Sequence, residues 1–165
     1  MSLDAFAVDA LGRGRRPDLI VVPSSVDQIS AMTRVCTETR TPLVVRGAGT
    51  GFTGGAVATQ GGVVLSMERF NRILEIDELN LLAVVEPMVI NAALQEAVER
   101  VGLFYPPDPA SLTQSSIGGN VAECAGGPRA FKYGTTKRYI LALEAVDRKS
   151  TRLNSSHLGI SYAVF

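Results

Sequence analysis

Two glycine-rich runs hold the residues of this chain best suited to chemistry. The first is Arg46, Gly47, Ala48, Gly49, Thr50, Gly51, Phe52, Thr53, Gly54 and Gly55. The second begins Ser115, Ser116, Ile117, Gly118, Gly119, Asn120 and continues Val121, Ala122, Glu123, Cys124, Ala125, Gly126 and Gly127. Glycine reaches positive φ and lets other groups approach the backbone closely. Such runs turn successive N–H groups toward one point and form an anion-binding concavity. Two of them on a chain of 165 residues suit a ligand with a diphosphate, and hence a dinucleotide.

Gly49, Gly51 and Gly54 satisfy G-x-G-x-x-G directly after an apolar run. The doubly wound dinucleotide fold also needs a helix to open at that loop. The stretch Gly55 to Gly62 has no helical stripe, so that context fails. The triphosphate-binding loop fails too, because no Gly-Lys-Ser/Thr follows. Alone, the first loop is equally a turn that only satisfies geometry. The second run tips the balance toward a ligand, with Ser115 and Ser116 adding hydroxyl donors. Arg46, at the junction of strand and loop, is either a surface charge or a cation facing phosphate.

No constellation for the reaction itself is present. His157 is the only histidine, and there is no Cys/His set with metal-ligand spacing, no nucleophile elbow and no convincing carboxylate pair. A bound cofactor would carry the hard step. Cys36 falls in a helical pattern and reads as a small buried hydrophobe. Cys124 is either inert or, beside a cofactor loop, reactive. Two cysteines make no disulfide framework, so a reducing, cytoplasmic setting is expected. Zero formal net charge argues against a nucleic-acid partner, and no apolar run is long enough to cross a bilayer.

The elements that must position these loops follow from pattern. Leu19 to Val22 reads as a strand ending at Pro23. Ser25 and Gln28 have the form of a capping box. Val26, Ile29, Met32 and Val35 then predict a helix to Thr39, stopped by Thr41-Pro42. Leu43 to Val45 is a second strand, making a parallel, right-handed βαβ unit with the first loop at its end. Val63 to Leu65 is another strand. Ile73 to Ile76 and Leu81 to Val85 pair around a turn at Asp77 to Asn80. Asn91 caps a helix to about Val101, with Leu94, Val98 and Val101 inward and Gly102 as its stop. Pro106 to Pro109 is a rigid connector, and Ile140 to Val146 a last strand.

The order of these features resembles the FAD-binding domain of the p-cresol methylhydroxylase and vanillyl-alcohol oxidase flavoproteins. The likeness is greatest in the branch of glycolate oxidase D subunits and FAD-linked D-lactate dehydrogenases. It rests on Arg16 to Pro23, Pro42 to Gly55, Tyr105 to Ser111 and Ser116 to Gly134, and covers most of Arg16 to Val146. The resemblance implies an α+β, two-lobed domain over 16–146 whose second lobe is incomplete, preceded by a lead-in over 1–15. It implies that Arg46, Gly47, Ala48, Gly49, Thr50, Gly51, Thr53 and Gly54 wrap the FAD diphosphate. Pro107, Asp108 and Ser111 would lie along the flavin and ribityl side. Ser116, Gly118, Gly119, Asn120 and Ala122 would line the cofactor, with Gly126, Tyr133 and Gly134 close by. Some relatives attach FAD to histidine, but none lies between Met1 and Ser156, so non-covalent FAD is expected.

The parent enzyme would oxidise a small 2-hydroxy acid, glycolate or D-lactate, by hydride transfer to flavin. The substrate site would lie in a missing C-terminal domain, and subunits of a glycolate oxidase complex are possible partners. The alternatives are a sugar-lactone oxidase, an enolpyruvyl nucleotide-sugar reductase, or an inactive truncated module. Pro87-Met88 departs from the family's Pro-Gly, and strain is expected at Met88 if its φ is positive. Asp147 to Phe165 resembles the translation of a sequencing adapter and is read as a non-native tail. Poor packing is expected there, with Ile160 to Phe165 free to pair as a strand.

Overall fold

A computed structural model describes residues 2–12, 14–147, 149 and 151–154, the last three as backbone. Its centre is a parallel sheet of β1 (Leu19–Val21), β2 (Leu43–Arg46) and β3 (Val63–Ser66). The order is β1-β3-β2, so β3 enters between the two strands of the β1-α1-β2 crossover. The sequence of β3 accounts for its place. Val63, Val64 and Leu65 are an unbroken apolar run, and every residue of β3 is buried. A strand covered on both faces has no polar side to alternate with.

Helix α1 (Val26–Glu38) packs on this sheet through Ile29, in a core with Leu65, Met67, Phe70 and Val146. Its N-cap is Ser25, whose hydroxyl accepts from the Gln28 N–H at 3.3 Å. Gln28 reaches back one residue further than the box predicts, to the Ser24 N–H at 2.8 Å. Cys36 is buried as expected, whereas Val35 turns out to be half exposed.

A second core joins the hairpin β4 (Ile73–Asp77) and β5 (Leu82–Val85) to helix α2 (Asn91–Glu99). Val85, Val89, Leu94, Val98 and Ile117 form it. The hairpin turn is tied by Asp77, which accepts from the N–H groups of Leu79 and Asn80. Gly102, at φ 78°, stops the chain after α2. Asn91 is not the cap: Ile90 holds that position, and Asn91 is the first helical residue, fully buried. Its amide has partners deeper inside, described below. Met88 is unstrained, for it is not among the residues at positive φ, and its N–H meets Phe70 O at 2.7 Å.

The second glycine run is not a loop throughout. Ile117–Ala122 forms a short helix, α3, capped by the Ser116 hydroxyl. Gly118 sits in its first turn against Pro87, where a Cβ would come within 2.6 Å of the proline ring. A second short helix, α4 (Ala130–Tyr133), follows. The last expected strand shortens to β6 (Glu144–Val146), with 140–143 irregular. It pairs antiparallel with β7 (Arg152–Asn154), so the tail supplies a strand from 152–154. The Asp147 carboxylate ties the turn between them through the N–H groups of Lys149 and Thr151. The expected pairing run, Ile160 to Phe165, lies outside the described residues. Among those described, no helix is long and apolar enough to cross a membrane.

Candidate functional site

Parallel strands deliver loops at their carboxyl ends, and the first glycine run leaves β2 there. It contains no helix or strand before β3. Arg46, the last residue of β2, holds the loop's shape from behind. Its Nη1 donates to Val8 O and Ala56 O, both at 3.0 Å, and its guanidinium lies 5.5 Å from the Phe6 ring centre. The guanidinium also fills the space a Gly49 Cβ would need, and Gly49 sits at φ 72°. Burial pulls the Arg46 pKa down, opposed by the Asp9 carboxylate.

The second run is stitched to the segment between β5 and α2. Ile117 N–H meets Val89 O at 2.8 Å, Gly118 N–H meets Pro87 O at 2.7 Å, and Asn91 N–H meets Ser115 O at 3.0 Å. These bonds carry Ser115, Ser116 and the start of α3 to the first loop. Gly47 packs so closely there that an added Cβ would lie 2.5 Å from the Ser116 Oγ.

One cleft results, with both runs on its walls. From the first come Gly47, Ala48, Gly49, Thr50, Gly51 and Thr53. From the second come Ser116, Gly119, Asn120 and Ala122, with Ser111 between the runs. Ser115 also lines it, and its Oγ is buried with no hydrogen-bond partner. Across the mouth, the Thr53 hydroxyl donates to Glu123 Oε1 at 2.8 Å. No reading of single loops pointed to Glu123, whose place depends on how the two runs meet.

The other expected residues do not line the cleft. Arg46 lies behind it, as described, with its guanidinium on backbone carbonyls. Gly54 is in the turn leading to Val57. Gly118 faces Pro87. The Pro107 carbonyl accepts from Asn91 and Gln95. Asp108 accepts from the Arg129 N–H at 3.0 Å and faces its Nε at 3.5 Å. Gly126 borders Ala130 and Thr135, and Gly134 borders the Arg138 side chain. The Tyr133 ring meets Phe104 edge-on at 5.8 Å. Cys124 is exposed, not a buried thiol, and the Thr135 hydroxyl 3.3 Å away helps pull its pKa down. Among the described residues no cluster of His, Cys, Asp or Glu is built to hold a metal.

Comparison with known proteins gives the family of the chain. A family model described as FAD binding domain matches residues 17–156. The glycolate oxidase subunit GlcD of Bacillus subtilis (strain 168) is 50% identical over 130 residues, which are 79% of this chain and 28% of that protein. A D-lactate dehydrogenase of Anaerostipes hadrus is 40% identical over 131 residues, 79% of this chain and 27% of that one. The solved structure of 4-ethylphenol oxidase from Gulosibacter chungangensis superimposes with a TM-score of 0.69 at 30% identity, over 82% of this chain and 26% of its own. The chain thus spans less than a third of the length of these relatives.

Proposed function

The chain belongs to the FAD-binding domain family, and from that premise we propose that its cleft holds the diphosphate of non-covalently bound FAD. The protein carrying this domain would be an oxidoreductase that takes a hydride from a small 2-hydroxy acid such as glycolate or D-lactate. The cleft carries the first half of this reading. Two runs distant in sequence meet there, with bare glycine backbone on one side and the partnerless Ser115 hydroxyl on the other. A buried hydroxyl without a partner costs about 1–3 kcal/mol, and a phosphate oxygen would satisfy it. The names of the curated relatives support the second half, the substrate.

When bound, the flavin supplies the acceptor for the electron pair. The chain's share is to hold and orient it. Gly47 to Gly51, with Thr53, would face the diphosphate with backbone N–H groups, and Ser115 and Ser116 would meet it with hydroxyls. Ser111, Gly119, Asn120 and Ala122 would line the rest. Arg46, Gly54, Pro107, Asp108, Gly118, Gly126, Tyr133 and Gly134 would support them from the surrounding shell. The absence of histidine before position 157 favours non-covalent attachment over a histidyl link. The two unpaired cysteines fit a cytoplasmic location. Substrate binding and any partner subunits would belong to the longer protein, so this chain alone is expected to bind flavin weakly and to reduce no dye with glycolate.

The test is a flavin-fluorescence titration of the chain and of Ser115→Ala. Ser115→Ala should keep or raise the thermal midpoint, because it removes an unsatisfied polar atom. It should also weaken FAD binding about tenfold, the scale of one hydrogen bond to a charged group. Equal affinity in both would place the diphosphate elsewhere. Stoichiometric FAD with glycolate-dependent dye reduction would show that the chain is sufficient by itself.

A further inference from the structure

Behind the cleft lies a relay of amides whose polarity is set from its far end. The Pro107 carbonyl can only accept. It takes Asn91 Nδ2 at 3.0 Å and Gln95 Nε2 at 2.9 Å. Asn91 must therefore point its amino group at Pro107 and turn its carbonyl oxygen the other way. That oxygen accepts from Asn120 Nδ2 at 2.9 Å. Asn120 has then committed one of its two amino protons inward, and its Oδ1 is left over as an acceptor. Asn91 is fully buried and Asn120 is 4% exposed. A flipped amide would set like groups against each other with no water to relieve them. Asn120 lines the cleft and Asn91 does not.

We infer that Asn91 is a positioning residue that fixes Asn120 as a hydrogen-bond acceptor toward the cleft, so that Asn120 recognises a donor group of the dinucleotide and not a phosphate oxygen. The inference rests on the dinucleotide reading above. Phosphate oxygens only accept, and would face the Asn120 oxygen acceptor to acceptor. The donors FAD offers are its ribose and ribityl hydroxyls, its adenine amine and the N3–H of its flavin ring. The diphosphate falls instead to the Ser115 hydroxyl and the backbone of the first loop. The cleft is thereby divided, with a donor-lined part for charge and an acceptor for a sugar or base.

The first arm of the test needs no ligand. In a uniformly 15N-labelled chain, the Nδ2 protons of Asn91 and Asn120 should exchange with solvent more than about tenfold slower than those of the exposed Asn71. Free exchange at Asn120 in the unmodified chain overturns the relay, whatever any variant does. The second arm titrates FAD, FMN, ADP and inorganic pyrophosphate into the chain and into Asn91→Ala, with circular dichroism as the check on folding. Asn91→Ala should weaken FAD about tenfold and leave pyrophosphate within about twofold. A parallel loss with ADP assigns the donor to the adenosine half, and one with FMN to the flavin and ribityl half. Equal loss of FAD and pyrophosphate, or no loss of FAD, overturns the acceptor assignment. If the unmodified chain binds none of the four, recognition fails together with the dinucleotide reading, while the exchange arm still judges the relay.

Discussion

The Thr53 hydroxyl donates to Glu123 Oε1 at 2.8 Å and ties the two walls of the cleft across a sequence separation of 70 residues. Both residues are exposed. The bond therefore sets a carboxylate at the mouth of a cleft that we read as an anion site. Its charge is screened by solvent, but not removed.

That placement predicts the effect of Glu123→Gln. The amide still accepts from Thr53, so the latch persists, while the negative charge is gone. FAD affinity should rise about two- to fivefold at low ionic strength, the range of an exposed charge interaction. The gain should shrink as salt is added. A flavin titration at two ionic strengths checks it, and a gain independent of salt would contradict the electrostatic origin.

The close approach of Gly47 to Ser116 predicts a contrast between neighbouring glycines. A Cβ at Gly47 would meet the Ser116 Oγ at 2.5 Å, whereas one at Gly51 would meet nothing within 4 Å. Gly47→Ala should force the walls apart and cost about 1–3 kcal/mol, as overpacking does. Gly51→Ala should stay within about 0.5 kcal/mol. Urea denaturation of both variants tests this, and equal effects would mean that the walls do not touch there.

Arg46 is predicted to act through the backbone it holds. Arg46→Lys keeps the charge but loses the planar guanidinium whose Nη1 serves both Val8 O and Ala56 O and whose remaining atoms lie against Gly49 and near the Phe6 ring. We expect a loss of about 1–3 kcal/mol, the scale of hydrogen bonds to a charged group. Amide exchange should speed up around Ala10, whose N–H meets Gly51 O at 3.4 Å. Unchanged exchange there would show that the N-terminal segment is held by other contacts.

Glu86 gives a pH dependence. Burial pushes its pKa up, but hydrogen bonds from the Arg72 side chain and backbone, with the arginine charge, outweigh this and leave it lowered. The Arg72 Nη2 stands 2.7 Å from Glu86 Oε1, and the backbone N–H 2.7 Å from Oε2. A lowered carboxylate pKa contributes stability that is present above the unfolded value, about 4.3. That stability is lost as pH falls through the folded value below it. Denaturation from neutral to acid pH should show the decline, and Glu86→Gln should flatten it. An identical profile in Glu86→Gln would assign the acid sensitivity to other groups.

The sequence by itself determined what depends on neighbours along the chain. The capped helix after Ser25, the three apolar strands, the hairpin around Asp77 and the stop at Gly102 all follow from local spacing and turn chemistry. The glycine runs are legible for the same reason, since backbone freedom belongs to the residue. Only the tertiary structure decided which backbone faces which. It placed β3 between β1 and β2 and turned part of the second run into a helix against Pro87. It set the Arg46 guanidinium on two carbonyls and made a presumed cap, Asn91, the middle of a buried relay. A side chain's hydrogen-bonding capacity is written in its type, but its partner is chosen by burial. Burial joins residues such as Asn91, Pro107 and Asn120, whose distance along the chain says nothing of their contact.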